Sequence, residues 1–126
     1  MRLTNNFWLS EFNCNDGTSI PEYLIPKVLY LAKELQKIRD EIMAPLYINS
    51  AYRTETYNKK VGGSTKSQHK LAKAADLVCP ELNPEQLYTL IDNLMIGGFI
   101  KNGGLGRYNT FTHYDIRDCE ARWDKR

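Results

Sequence analysis

The run Ala74-Ala75-Asp76-Leu77-Val78 sets a carboxylic acid in the middle of an otherwise apolar stretch that stops at Pro80. A short apolar run bounded by a polar loop and a proline reads as a buried strand. A buried carboxylate without partners is strongly disfavoured and tends to take up a proton, so Asp76 needs a cation or several hydrogen-bond donors. The fold must therefore bring other polar chemistry to this strand. Few residues are available to supply it, because the chain has only two histidines, His69 and His113. His69 ends the polar loop Ser64 to Lys70, just before the strand. His113 lies in Phe111-Thr112-His113-Tyr114-Asp115-Ile116-Arg117, where strand alternation puts Phe111, His113, Asp115 and Arg117 on one face. Two imidazoles and a carboxylate are zinc ligands, and three ligands with a fourth position open make a catalytic rather than a structural site. Spacing alone also admits the plainer alternative, in which each histidine is a surface or satisfied core residue and Arg53 a solvated loop cation.

Around this strand the pattern predicts an α+β fold, with two main helices and a small, mostly antiparallel sheet. From Pro26 to Ile42 the residues Val28, Leu31, Leu35, Ile38 and Ile42 recur at steps of three and four, one stripe of an amphipathic helix that stops before Pro45. A second helix opens at Asn83-Pro84, an N-cap followed by proline in the first turn. It turns Leu87, Leu90, Ile91 and Leu94 inward and stops at Gly97-Gly98. Strands are expected over Leu46–Tyr52, Ala74–Val78, Leu105–Tyr108 and Thr112–Arg117. Arg53-Thr54-Glu55 and Gly62-Gly63-Ser64 read as loop. The arm before residue 24 is expected to pack through Phe7, Trp8 and Phe12. The charged tail, Glu120 to Arg126, is expected to fray except at Trp123.

Composition narrows the function classes. With 126 residues, 42% hydrophobic and 25% charged, the chain suffices for one domain spanning 1–126. A net charge of +2 without any basic run offers no nucleic-acid footprint. Cys14, Cys79 and Cys119 are odd in number and lack a CxxC pair, which favours reduced thiols over a disulfide framework or a thiolate zinc site. The first residues lack the apolar core of a secretion signal, and no stretch reaches the roughly 18 apolar residues of a membrane span. Synthesis in the cytoplasm as a monomer is the expectation, with any target beyond the membrane reached by release or delivery.

Three ordered motifs then resemble the zinc D-Ala-D-Ala carboxypeptidase family. They are Ser50-Ala51-Tyr52-Arg53; Gly62-Gly63-Ser64 leading to Ser67-Gln68-His69-Lys70-Leu71-Ala72-Lys73-Ala74-Ala75-Asp76; and Gly103-Gly104-Leu105-Gly106-Arg107-Tyr108 leading to His113-Tyr114-Asp115-Ile116-Arg117. That family includes phage endolysin peptidases and shares its fold with the hedgehog signalling domain. Phe7-Trp8-Leu9-Ser10-Glu11-Phe12 also looks like the start of its small members, so the likeness spans nearly the whole chain. The resemblance implies one zinc ion on His69, Asp76 and His113, with Arg53, Ser67 and Tyr52 at the substrate. It implies hydrolysis of peptidoglycan peptides containing D-alanine, by carboxypeptidase or endopeptidase action. A guanidinium at Arg53 suits that role, since it can grip a carbonyl or carboxylate with two parallel hydrogen bonds.

Two positions depart from the family pattern. Ala72 stands where the family has glycine; if that position needs positive φ, alanine there costs about 1 kcal/mol. Thr110 stands where many relatives carry a catalytic acid three residues before the last zinc histidine. Hydrolysis at zinc needs a group that moves a proton from water to the leaving amine, which threonine cannot do. Asp115 shares a strand face with His113 and is the candidate general base. Two alternatives stay open for it: pairing with Arg117, or orienting a ligand. In a further alternative no base survives and the domain binds wall peptides or a protein partner without turnover. Tyr108 and Tyr114 are further candidates to line the cleft.

Overall fold

A computed structural model describes all 126 residues. The first long helix, α1, spans Ile25–Ile42, with Pro26 in its first turn and Met43 closing it in the left-handed conformation at φ 59°. Val28, Leu31, Leu35 and Ile38 are buried along one stripe, and Ile42 is half-buried. Each such side chain contributes roughly 1.5–3 kcal/mol by leaving water. The other long helix, α3 (Pro84–Ile96), is capped by Asn83, whose side chain accepts from Gln86 N–H at 2.8 Å while Gln86 reaches back to Asn83 N–H. Leu87 and Ile91 face inward as the period requires, joined by Tyr88 and Met95; Leu90 and Leu94 are only half-buried.

Five strands form one sheet: β1 (Tyr47–Ser50), β2 (Ala74–Val78), β3 (Gly104–Arg107), β4 (Thr112–Asp115) and β5 (Ala121–Asp124), in the order β1-β2-β4-β3-β5. Every pairing is antiparallel except β3 with β5. The register explains how the sheet divides its labour. Ala75, Tyr114 and Leu105 lie opposite one another in one row and belong, with Leu77, to the hydrophobic core shared with α1 and α3. The alternate row runs Ser50–Asp76–His113–Gly106–Trp123 across all five strands. Because side chains alternate between faces, the row holding Asp76 and His113 lies on the face opposite the helices.

One helix was not expected and two sequence expectations are corrected. Between the polar Arg53-Thr54-Glu55 and the glycine loop, Thr54 caps a short helix, α2 (Glu55–Lys60), by accepting from Tyr57 N–H at 3.1 Å. Phe7 and Phe12 are buried edge to face, whereas Trp8 is 50% exposed. Its backbone caps the 3-10 turn Leu9–Phe12 and bridges to Arg2, which turns the indole outward. The tail does not fray but forms β5, tied down by Arg122, which donates to Asp92, Asn102 and the carbonyl of Gly103. No helix is long and apolar enough to cross a membrane.

Candidate metal centre

The loop before β2 tightens into a 3-10 turn, Gln68–Leu71, which Ser67 opens by accepting from His69 N–H at 3.2 Å. The turn closes at Ala72 with φ 59°, in the left-handed region. The chain thereby reverses sharply enough for His69 to lie back against the strand it precedes. His69 Nε2 comes to 3.2 Å from Asp76 Oδ1, and His113 Nδ1 to 3.0 Å from the same oxygen. All three residues are buried, and their ligand atoms lie within 4.8 Å of one another. Ligand atoms around one tetrahedral zinc stand ~3.3 Å apart, given metal–ligand bonds of ~2.0–2.1 Å. The two spacings to Asp76 match that requirement closely.

The far side of each ring fixes what it presents to Asp76. His69 Nδ1 is 2.6 Å from the carbonyl of Ala51, which only accepts, so this nitrogen carries the proton. Burial pushes the His69 pKa down against the pull of Asp76, which keeps the ring neutral and turns the Nε2 lone pair toward a carboxylate oxygen. Two acceptors facing each other at that distance call for a cation between them. His113 Nε2 is 2.7 Å from Asp115 Oδ2. Burial opposes charge on His113 too, yet hydrogen bonds to Asp115 and Asp76 prevail and raise its pKa. Both carboxylates fall below the usual range despite burial: Asp76 chiefly through His113, Asp115 through Arg117 and His113. Both ring nitrogens of His113 face carboxylate oxygens, which favours the protonated ring, and a metal bound at Nδ1 would take that proton's place. The donor set therefore fits zinc.

Arg53 flanks the triad. Its backbone N–H donates to the carbonyl of His69 at 3.0 Å, and its guanidinium donates to Asp76 Oδ2 (3.2 Å), Ser50 Oγ (3.2 Å) and Asn58 Oδ1 (3.3 Å). Asn58 is buried and donates to the carbonyl of Ser64 at 2.9 Å, pinning the glycine loop beneath it. A Cβ on Gly63 would collide with that asparagine. The cleft above the triad has a volume of about 510 Å³ and is lined by Arg53, Ser67, His69, Asp76, His113 and Tyr108, among others. Its far wall is aromatic: Tyr108 stacks on Phe111 at 4.3 Å, and Trp123 leans on the His113 ring at 4.9 Å. Trp123 Nε1–H donates to the Tyr108 hydroxyl at 3.0 Å.

The profile of the peptidase M15 family matches residues 5–115. The chain belongs to the peptidase M15 family. Comparison with curated proteins gave no match. M15 membership and the buried His69–Asp76–His113 group together support a zinc metallopeptidase.

Three of the candidate site residues lie elsewhere than the sequence suggested. Tyr52 does not reach the cleft: neighbours in extended chain point oppositely, and with Arg53 turned to the triad Tyr52 joins the core. Asp115 does not border the cleft either. Its carboxylate is fully buried behind His113 and engaged by Gly104 N–H (3.0 Å), the Arg117 guanidinium (2.8 Å to each oxygen) and His113. Tyr114 is also enclosed, donating its hydroxyl to the carbonyl of Lys101 at 2.8 Å. Conversely, no motif or spacing joined Trp123 or Asn58 to this M15 site. The available signal was glycine: Gly106 sits inside a strand because a Cβ there would strike the Trp123 indole, and Gly104 leaves room for the Asp115 carboxylate.

Proposed function

We propose that this M15 chain is a zinc peptidase that hydrolyses peptidoglycan peptides containing D-alanine. The observation that carries it is the convergence of His69 Nε2, Asp76 Oδ1 and His113 Nδ1 on one point at the floor of an open cleft, with Arg53 beside them. Zinc bound there would polarise the scissile carbonyl and lower the pKa of water to about 7. Arg53, held from three sides, aligns the substrate backbone. Asp115 keeps His113 in the tautomer that offers Nδ1 to the metal, the orienting role a carboxylate plays behind a ligating imidazole. Tyr108 accepts the Trp123 N–H, which leaves its own hydroxyl proton free to support charge developing on the substrate.

Zinc-loaded protein should cut peptidoglycan fragments, a chelator should stop it and zinc restore it; full activity in His69→Ala would end this reading. One observation favours a second reading, a wall-binding protein without turnover: Asp76 is the only carboxylate lining the cleft. That reading predicts retention on murein without product. It falls if zinc-loaded protein releases product from murein and a chelator abolishes that release.

A further inference from the structure

The cleft is unbalanced in charge. Arg53, Lys66, Arg117 and Lys125 line it against a single carboxylate, Asp76, which is itself committed to the triad. Arg53 and Arg117 are partly offset by Asp76 and Asp115. Lys66 and Lys125 are exposed and join none of the ion pairs in the chain.

The sheet order divides these cations into two groups. Arg53 follows β1, and its Nη1 would lie 3.0 Å from a Cβ on Gly63, in the loop that continues to Lys66. Lys125 follows β5 and is anchored there by its backbone N–H, which donates to the carbonyl of Arg107 at 2.8 Å. Arg117 stands over the Trp123 ring, its guanidinium carbon 5.1 Å from the centroid. The triad lies between the groups, with Asp76 on β2, His113 on β4 and His69 on the turn that leads into β2. With strands ~4.8 Å apart and extended peptide advancing ~3.4 Å per residue, the β1 end is about two residues from the metal and the β5 end three to four.

We infer that the cleft selects peptides carrying negative charge on both sides of the metal, within about two residues toward Arg53 and Lys66 and about four toward Arg117 and Lys125. This rests on the peptidase reading for the line the peptide takes, but the charge pattern is independent of turnover. Trp123 and Lys125 lie beyond residue 115, where the M15 match ends, whereas Arg117 closes the last of the motifs that resemble the family. The aromatic wall separates the β5 cations from the metal and gives the intervening residues an apolar surface to cross.

The test is calorimetric titration of the full-length, zinc-loaded chain with blocked peptides of equal length bearing carboxylates on both flanks, on either flank, or on neither. Bound zinc and peptide integrity are measured in the same samples. The doubly acidic peptide should bind at least tenfold more tightly than the neutral one, and most of that margin should vanish in 0.5 M salt, where charges are screened within roughly 4 Å. Lys125→Glu should remove the advantage of the β5-side carboxylate alone, and Lys66→Glu that of the other flank, whereas Lys27→Glu on α1 should alter neither. Equal affinity for neutral and acidic peptides in zinc-loaded protein overturns the inference and leaves the peptidase reading intact. A protein that holds no zinc yet still prefers the doubly acidic peptide sustains the inference and removes the metal chemistry.

Discussion

The two walls of the cleft are built on different principles. On the β1–β2–β4 side the polar groups at the metal point are held by partners: His69 between Ala51 and Asp76, Arg53 among Ser50, Asn58 and Asp76, and His113 between Asp76 and Asp115. On the β3–β5 side the wall is aromatic and half-exposed. It depends on a four-residue parallel strand, Ala121–Asp124, in the charged tail that was expected to fray. The first wall is a preorganised metal cage, in which each ligand is held by a partner behind it. The second wall shapes what enters. Substitutions on the two sides should therefore separate metal binding from recognition.

The largest effects belong to the cage. His69→Ala or His113→Ala removes one of three ligands and should abolish stoichiometric zinc, measured by elemental analysis after dialysis, together with all hydrolysis. Retention of one zinc per chain in both variants would break the contrast between the walls. Asp115→Asn comes next. It leaves His113 without its carboxylate partner and should weaken zinc binding ~10–100-fold by chelator competition. It also takes the ion-pair partner from Arg117, which is partly exposed, so the metal-free protein should lose about 1.5–3 kcal/mol, the worth of a hydrogen bond to a charged group. Sign and window follow from the depressed pKa values of Asp76 and Asp115. Their stabilisation is complete above the ordinary carboxylate range near pH ~4 and is lost as pH falls through their folded values. Wild-type stability against urea should therefore drop steeply below pH ~4, and less steeply in Asp115→Asn.

Legibility from sequence divides along the same line. Asp76 was readable because a carboxylate inside Ala-Ala-Asp-Leu-Val contradicts its surroundings, and a local contradiction of that kind marks a site. The α1 stripe was readable because burial repeats at the helical period. The two histidines and Arg53 followed from motif order. Asp115 was visible as a residue near His113, but alternation fixes only the face. Which nitrogen of the ring it would address depends on the His113 rotamer and on the space that Gly104 leaves beside it. The β5 tail was legible only at Trp123. Glu120-Ala121-Arg122-Trp123-Asp124 does alternate polar and apolar residues, but two apolar residues in a charged tail are too short a pattern to specify a strand, which exists because Arg122 finds Asp92 and Asn102, and Trp123 finds the bare backbone of Gly106. These are long-range partners, up to 30 residues away in sequence.

Trp123→Ala probes that second wall directly. Loss of a half-buried indole, its hydrogen bond to Tyr108 and its contact with His113 should cost roughly 2 kcal/mol in urea denaturation, less than truncation of a fully buried aromatic. Zinc affinity should change by less than about threefold, because no ligand and no partner behind a ligand is removed. A loss of zinc affinity as large as that in Asp115→Asn would show that the walls are one unit and that the indole belongs to the cage.

The smallest effect isolates backbone strain from chemistry. Ala72 adopts φ 59° to end the turn that carries His69, and a residue with a Cβ is disfavoured there by roughly 1–2 kcal/mol. Glycine would relieve that strain but add unfolded-state freedom, so Ala72→Gly should stabilise the protein by about 0.5–1 kcal/mol. A melting temperature a few degrees higher is the expected signature. Ala72 is buried, so its methyl group also contributes packing. If Ala72→Gly instead lowers the melting temperature, that packing outweighs the strain. Zinc affinity decides what the turn does for the cage: unchanged affinity means that Ser67 and Ala51 alone hold His69 in position. Tighter binding in Ala72→Gly would mean that relief of strain at the turn reaches the first ligand.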